Sequence, residues 1–413
     1  MIVGERQIRT GDVLYYIALG LYLLRTLMQS TFYAEYISDR TSNAFCMAAI
    51  LLLVLHELLF EKYSASTWIW LAVSALFCLN ALRVDHLPAA CMFLLVFCGR
   101  NMSMDQMARF VLDLLAIFLV FIILSAELGL ITNYVRLETT RNNREYLGFL
   151  YALYPGGYLL HIILLCFYLY RNKIPFSLLA ALGVSALWIY RKTDSRMSFL
   201  LSLLLLALAF FLKLFPKIPE KLGKINIIHV LIYPAAAVFT IAVTVGYNLS
   251  VGWMARLNTV FAQRLVYQQT SFRRYGITWF GKEIRWVGNG LNASGVASPH
   301  NVLYVDNMYL QFLQKYGVLM ACLVIICVVL AEWYFYKTRN YYLLMAFSVN
   351  ALNGLINDSV MSLSYNIFWI AAAMAVFGSR RFRGEKRTSG EFRIEEKDLE
   401  NLYDASQRRG ERV

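Results

Sequence analysis

The sequence predicts an all-α, polytopic integral membrane protein of about twelve transmembrane helices, with one large loop that carries an amphipathic helix. Three observations predict it. Of 413 residues, 59% are apolar, matching the roughly 240 that twelve crossings of about 20 residues each require. Charged residues make up only 16%, against about a quarter in soluble proteins. The mean hydropathy is +0.53, and the apolar residues come in unbroken runs rather than alternating, which excludes an outer-membrane barrel. A soluble globular enzyme, a disordered chain and a fibrous protein are excluded on the same grounds.

The apolar runs centre on residues 13–33, 43–60, 66–83, 87–99, 109–131, 153–170, 175–190, 197–215, 225–246, 308–335, 341–358 and 362–379. The first follows a short, mildly basic stretch, Met1 to Asp12, without a small-residue cleavage site, so it reads as a retained helix rather than a removed signal peptide. The fourth and seventh are short. His56 and Glu57 in the second run and Asp113 in the fifth read as structural. Asn350, Asn353, Asn357 and Asp358 fall on or near one face of the eleventh, either lining a groove or bonding between helices. All seven cysteines lie inside apolar runs and read as small buried hydrophobes. There is no metal-ligand spacing, phosphate-binding glycine loop or Gly-x-Ser-x-Gly elbow, so no metal or other cofactor is expected, and no nucleic-acid partner. Residues 1–379 form the membrane domain. Residues 380–413 form a polar, mixed-charge tail that is weakly helical around Glu391–Tyr403.

The short connections after even-numbered runs carry Lys62, Arg100, Arg171, Lys173, Lys217, Lys221, Lys224, Lys337 and Arg339. The positive-inside rule makes that side cytoplasmic, together with both termini. The opposite face is basic too. Loop 132–152 has Arg136, Arg141 and Arg144, and loop 191–196 packs Arg191, Lys192 and Arg196 around Asp194. Loop 247–307 has Arg256, Arg264, Arg273, Arg274, Lys282 and Arg285. Arginines gathered against the insertion bias point to an anionic ligand; pairing with outer acids or lipid phosphates is the alternative. Within 247–307, Leu257, Val260, Phe261, Leu265, Gln268 and Phe272 recur at helical spacing, which predicts one amphipathic helix across the outer membrane surface. Arg264 sits on or beside its apolar face, where an unpaired guanidinium is costly unless it meets an anion. Gly288, Gly290 and Gly295 mark a flexible stretch before Ser298-Pro299-His300.

Four segments then carry a resemblance. Arg144-Glu-Tyr-Leu-Gly148-Phe149, followed by Pro155-Gly-Gly, is similar to an Arg-x-x-Leu-Gly-Phe…Pro-Asn stretch. Thr193-Asp194-Ser195-Arg196 resembles a Ser-Arg at the outer start of a helix. Gln263-Arg264-Leu265 with Tyr275-Gly276-Ile277-Thr278-Trp279-Phe280-Gly281 resembles Arg-Leu…Tyr-Gly…Phe-Gly. Val305-Asp306-Asn307-Met308-Tyr309-Leu310 with Tyr316-Gly317 resembles Asp-Asn-x-Tyr…Tyr-Gly. In this order, over roughly residues 10–380, they resemble the Wzy-type polysaccharide polymerases, relatives of the O-antigen ligases. The resemblance implies a GT-C-like, metal-independent, inverting glycosyltransferase. It would join oligosaccharide repeat units carried on undecaprenyl pyrophosphate, at the outer face of the bacterial plasma membrane, into O-antigen, capsule or exopolysaccharide. Its partners would be that lipid-linked oligosaccharide, membrane lipids and a chain-length regulator.

On this reading Arg191, Arg196 and Arg264 hold the pyrophosphate and Arg144 adds a phosphate or sugar contact. Asp306 or His300 serves as general base, and Tyr304 and Tyr309 stack on sugars. The ligase relatives have His where Asp306 stands. Plainer readings stay open. Arg196 is then a helix-start residue paired to Asp194, Arg264 a lipid-headgroup contact, and Asp306 the cap of a helix beginning near Met308. A ligase that moves polymer to another acceptor, or a lipid-linked oligosaccharide transporter, remains the alternative function.

Overall fold

The computed structural model describes residues 10–137, 143–297 and 302–378. Its main helices fall on the apolar runs: α1 (Thr10–Gln29), α2 (Asp39–Phe60), α3 (Ala65–Val84), α4 (His86–Cys98), α5 (Met104–Glu127), α6 (Tyr154–Tyr170), α7 (Phe176–Thr193) and α8 (Arg196–Leu214). A single turn, α9 (Ile218–Lys221), precedes α10 (Ile228–Gly246), and α13 (Met308–Lys337), α14 (Tyr341–Gly354) and α15 (Phe368–Phe377) complete the bundle. Among the described residues the only sheet is a two-residue antiparallel ladder between β1 (Val135–Arg136) and β2 (Arg144–Glu145).

Among the described residues, seven helices are long and apolar enough to cross a membrane by length and composition: α1, α2, α3, α5, α8, α10 together with the 3-10 turn Gly223–Ile227 that leads into it, and α13. Large apolar side chains point outward from them, with Leu58 73% and Ile117 70% exposed. An apolar exterior around internally hydrogen-bonded helices is the arrangement a bilayer demands, so this is an all-helical membrane protein. Polar starts are capped locally. Ser38 accepts from the N–H of Thr41 at 3.1 Å, and Ser64 from that of Thr67 at 3.3 Å.

The centre of the bundle is α6, in which every residue from Pro155 to Tyr168 is buried. A helix apolar on all sides belongs inside. Gly156 and Gly157 let it approach its neighbours. A Cβ on the first would meet Ser195 Oγ at 2.6 Å, and one on the second would meet the Tyr365 ring at 2.7 Å. The Tyr158 and Tyr365 rings stack at 4.3 Å.

The connections sort into two ends. At one, Glu57 takes two hydrogen bonds from buried Arg100, at 2.7 and 2.8 Å, and one from Tyr63 at 2.7 Å, while Lys213 reaches Ile174 O at 2.6 Å. At the other, Thr31 bridges to Phe149, Tyr33 reaches Ser125 at 3.1 Å, and Asn80 reaches Tyr316 O at 3.0 Å. Glu57, expected to be structural, is thus held by Arg100 and Tyr63.

Two expectations are corrected. The single amphipathic helix is two, α11 (Gly252–Val260) and α12 (Arg264–Tyr275), broken where Ala262 and Gln263 take positive φ of 50° and 67°. Asn258 makes the break. Its Oδ1 accepts from the N–H of Leu265 at 3.1 Å and of Val266 at 3.4 Å, satisfying the free donors at the start of α12. The inward face of α12 then docks on protein through polar groups, with Gln268 to Thr244 at 3.2 Å and Ser271 to Gln314 at 2.9 Å. Secondly, Asn350, Asn353, Asn357 and Asp358 do not share a helix face, because α14 stops at Gly354. Asn350 bonds Asn366 at 2.9 Å, whereas Asn357 caps a 3-10 turn, Asp358–Met361. The tail at 380–413 lies outside the described residues.

Candidate functional site

The four motif segments come together in pairs at the end of the bundle opposite Arg100. On β2, Arg144 donates Nε to Thr193 O at 3.2 Å and Nη2 to Asp194 O at 3.4 Å. These are carbonyls at the C-terminus of α7, the negative end of its dipole. The neighbouring Glu145 accepts from Lys192 Nζ at 3.0 Å. Asp194 ends α7 in the left-handed region, and its buried carboxylate receives Arg196 Nε at 3.0 Å. The Arg196 side chain is 53% exposed, so its terminal nitrogens face outward. The helix-start pairing of Arg196 to Asp194 is thus present, and it uses one nitrogen of the guanidinium. Arg191 is exposed, with no hydrogen-bond or ion-pair partner among the described residues.

Arg264 opens α12 and donates Nε to Asp306 Oδ2 at 2.9 Å, with side-chain exposures of only 13% and 25%. Asp306 is not the cap of α13. Asn307 is, its Oδ1 accepting from the N–H of Leu310 at 3.0 Å. Tyr151 lies within the electrostatic reach of Asp306, Arg264 and Arg144, which places these four side chains in one neighbourhood. Burial pushes the Tyr151 hydroxyl up to about 12, so it stays a neutral donor. The segment Gly288–Leu291 closes over it, Leu291 N–H bonding Leu150 O at 2.8 Å.

Beside this cluster, Asp358 accepts from Tyr304 OH at 2.6 Å and Gln311 Nε2 at 3.0 Å. Burial pushes its carboxyl up to about 6, and nearby Asp306 adds to the shift. The Tyr304 hydroxyl is thus committed to an acid. The Tyr309 hydroxyl donates to Ala351 O at 2.8 Å. Tyr309 also lies in the wall of an apolar groove of about 600 Å³ between α3, α4, α10, α13 and α15.

The remaining pairing is mechanical. Helix α13 breaks at Gly317, whose φ is 90°. The segment Thr278–Gly281 fills the gap: Val318 N–H bonds Thr278 O at 3.0 Å, and Leu319 N–H bonds Trp279 O at 3.1 Å. A Cβ on Gly317 would collide with the backbone of Gly281, and one on Gly281 with that of Lys315. Asp85 anchors the break from α3, receiving Lys315 and Tyr316 OH, the latter at 2.6 Å. The Tyr-Gly…Phe-Gly and Tyr-Gly segments are therefore two halves of one crossing.

Sequence reasoning found Arg144, Arg264 and Asp306 but not Tyr151, Gln311 or the role of Asp358. Gln311 follows Asn307 by one helical turn, a spacing that marks it as facing the same way. Nothing local marks Tyr151. His300 lies outside the described residues. No protein-family model, curated protein or solved structure matches this chain.

Proposed function

We propose that the chain is a glycosyltransferase that polymerises undecaprenyl-pyrophosphate-linked oligosaccharide repeat units at the outer face of the bacterial plasma membrane, by metal-independent, inverting transfer. On this reading twelve segments cross the bilayer in a GT-C-like arrangement, both termini are cytoplasmic, and the Arg264 end is extracytoplasmic. The observation that carries it is the convergence of Arg144, Arg264, Asp306 and Tyr151 at one end of the bundle. A departing pyrophosphate needs the guanidiniums, and an attacking hydroxyl needs the carboxylate.

Guanidiniums fixed before the substrate arrives stabilise charge as it develops on the departing pyrophosphate. Arg264 gives Nε to Asp306 and keeps two terminal nitrogens for phosphate oxygens, with Arg144, Arg191 and Arg196 supporting from the α7 side. A hydroxyl of the acceptor sugar attacks the anomeric carbon opposite the leaving group. The new C–O bond forms as the old one breaks, the electron pair leaves on the pyrophosphate oxygen, and the hydroxyl proton passes to a carboxylate. Asp306 takes that proton on Oδ1, the oxygen that Arg264 Nε does not hold; His300 is the second candidate. A ligase would share this chemistry and differ in its acceptor.

The test is polymerisation by purified protein in nanodiscs with its lipid-linked repeat unit, with a chelator present. Wild type is expected to give a ladder. Arg264→Ala abolishes it, and Asp306→Asn lowers the rate about a hundredfold or more. Substrate that crosses liposome membranes without forming a ladder would replace the enzyme with a transporter.

A further inference from the structure

A second cavity, of about 350 Å³, opens at the same end of the bundle, between α1, the α3–α4 turn and the Asp358–Met361 turn. Its walls include Tyr22, Arg25, Asp85, Asp358 and Ser362. It shares Met92, Tyr316 and Met361 with the apolar groove, so the two adjoin at these side chains. Along α13 the groove extends from Met308 to Val328, about 30 Å of helix, or the depth of the hydrocarbon layer. Val238 and Ile326 in its wall are 66% and 54% exposed, so it opens sideways toward lipid.

The charges in the polar part are unequal in availability. Asp85 is occupied by Lys315 and Tyr316, and Asp358 by Tyr304 and Gln311. Arg25 donates Nε to Ser42 Oγ at 2.8 Å and has no ion-pair partner among the described residues. A half-buried guanidinium oriented by a neutral hydroxyl keeps its charge and its terminal nitrogens for an anion.

We propose that this space is a second lipid-anion site, separate from the Arg264 cluster, in which Arg25 holds the phosphate of a polyprenyl lipid whose chain lies in the groove. The assignment rests on the polymerase reading, which requires two lipid-linked substrates at once, and it gives the second a place beside Asp358. The hydroxyls of a sugar on that lipid then face this acid.

Native mass spectrometry of the full chain released from nanodiscs, with undecaprenyl phosphate as the probe, counts the occupants. Wild type is expected to retain two lipids, and Arg25→Gln one. Cys322→Trp, a change at an exposed position in the groove wall, also leaves one without touching the core. Arg264→Ala loses the other. Two lipids retained in both Arg25→Gln and Cys322→Trp would overturn the site. Displacement of the Arg25-dependent lipid by excess phosphatidylglycerol would overturn it as a substrate site and make it a seat for bulk phospholipid. Counting needs no turnover, so the two proposals fail separately. A chain that makes no polymer yet loses one lipid in Arg25→Gln retains the lipid-anion site and loses the polymerase.

Discussion

Asp358 shows how single groups set the behaviour of the outer end. It is packed beneath Tyr304 and Gln311, with Asp306 close enough to resist a second negative charge, and burial raises its carboxyl to about 6. The folded state therefore holds the proton more tightly than the unfolded chain, in which an Asp titrates near 4. The corresponding stability is fully present below pH 4 and is lost as pH rises through 6, about 2–3 kcal/mol in all. Asp358→Asn keeps both acceptor bonds and removes the titration. Its thermal midpoint in detergent is expected to exceed that of wild type at pH 7.5 and to match it at pH 4. An equal difference at both pH values would show that titration of this carboxyl is not the cause. The pair Arg264–Asp306 works differently, because each partner compensates the other at 2.9 Å; removing either leaves a half-buried charge behind.

At the scale of elements, the decisive feature is the break in α13. Opening a helix frees backbone donors, which must be satisfied where water is scarce. Thr278 and Trp279 supply the acceptors for Val318 and Leu319, and Asn80 covers Tyr316 O. The crossing is possible only because Gly281 and Gly317 lack side chains and both take positive φ. Gly317→Ala is expected to destabilise the protein by about 2 kcal/mol or more, from the backbone conformation and the collision together. An unchanged melting midpoint for Gly317→Ala would mean that the crossing gives way freely. This coupling ties loop 247–307, which carries Arg264, to the helix that follows Asp306, so the cluster is held by the bundle and not by a loose loop.

For the whole molecule, basic connections gather at the Arg100 end, and the motif segments gather at the other. A bilayer placed around the apolar belt puts the two sets on opposite sides, and the proposed orientation, taken from the insertion bias, has the first cytoplasmic. Lys282→Cys is expected to react with a membrane-impermeant maleimide in intact cells, and Arg339→Cys only after permeabilisation. The reverse pattern would turn the proposed orientation over and place the arginine cluster inside the cell. Helix positions were legible because hydrocarbon demands unbroken apolar runs, a signal carried by every residue in them. Arg144, Arg264 and Asp306 were legible as chemistry that sits awkwardly in such a chain. The split between α11 and α12 was not, because the donors at the break are satisfied by Asn258, a side chain from the preceding helix that no periodicity reveals.

By itself the sequence determined the class of protein and the location of its helices. These follow from composition and period, which are properties of the chain taken locally. The tertiary structure decided the pairings: Arg264 with Asp306 across 42 residues, Tyr304 with Asp358 across 54, and Asn80 with the α13 break across 236. It also decided that Tyr309 lines a groove and that Arg25, unremarkable in its own helix, faces a cavity. Contacts of this kind depend on how helices rotate and cross when they pack, and an apolar helix in lipid carries little in its sequence to say which of its faces will meet a neighbour.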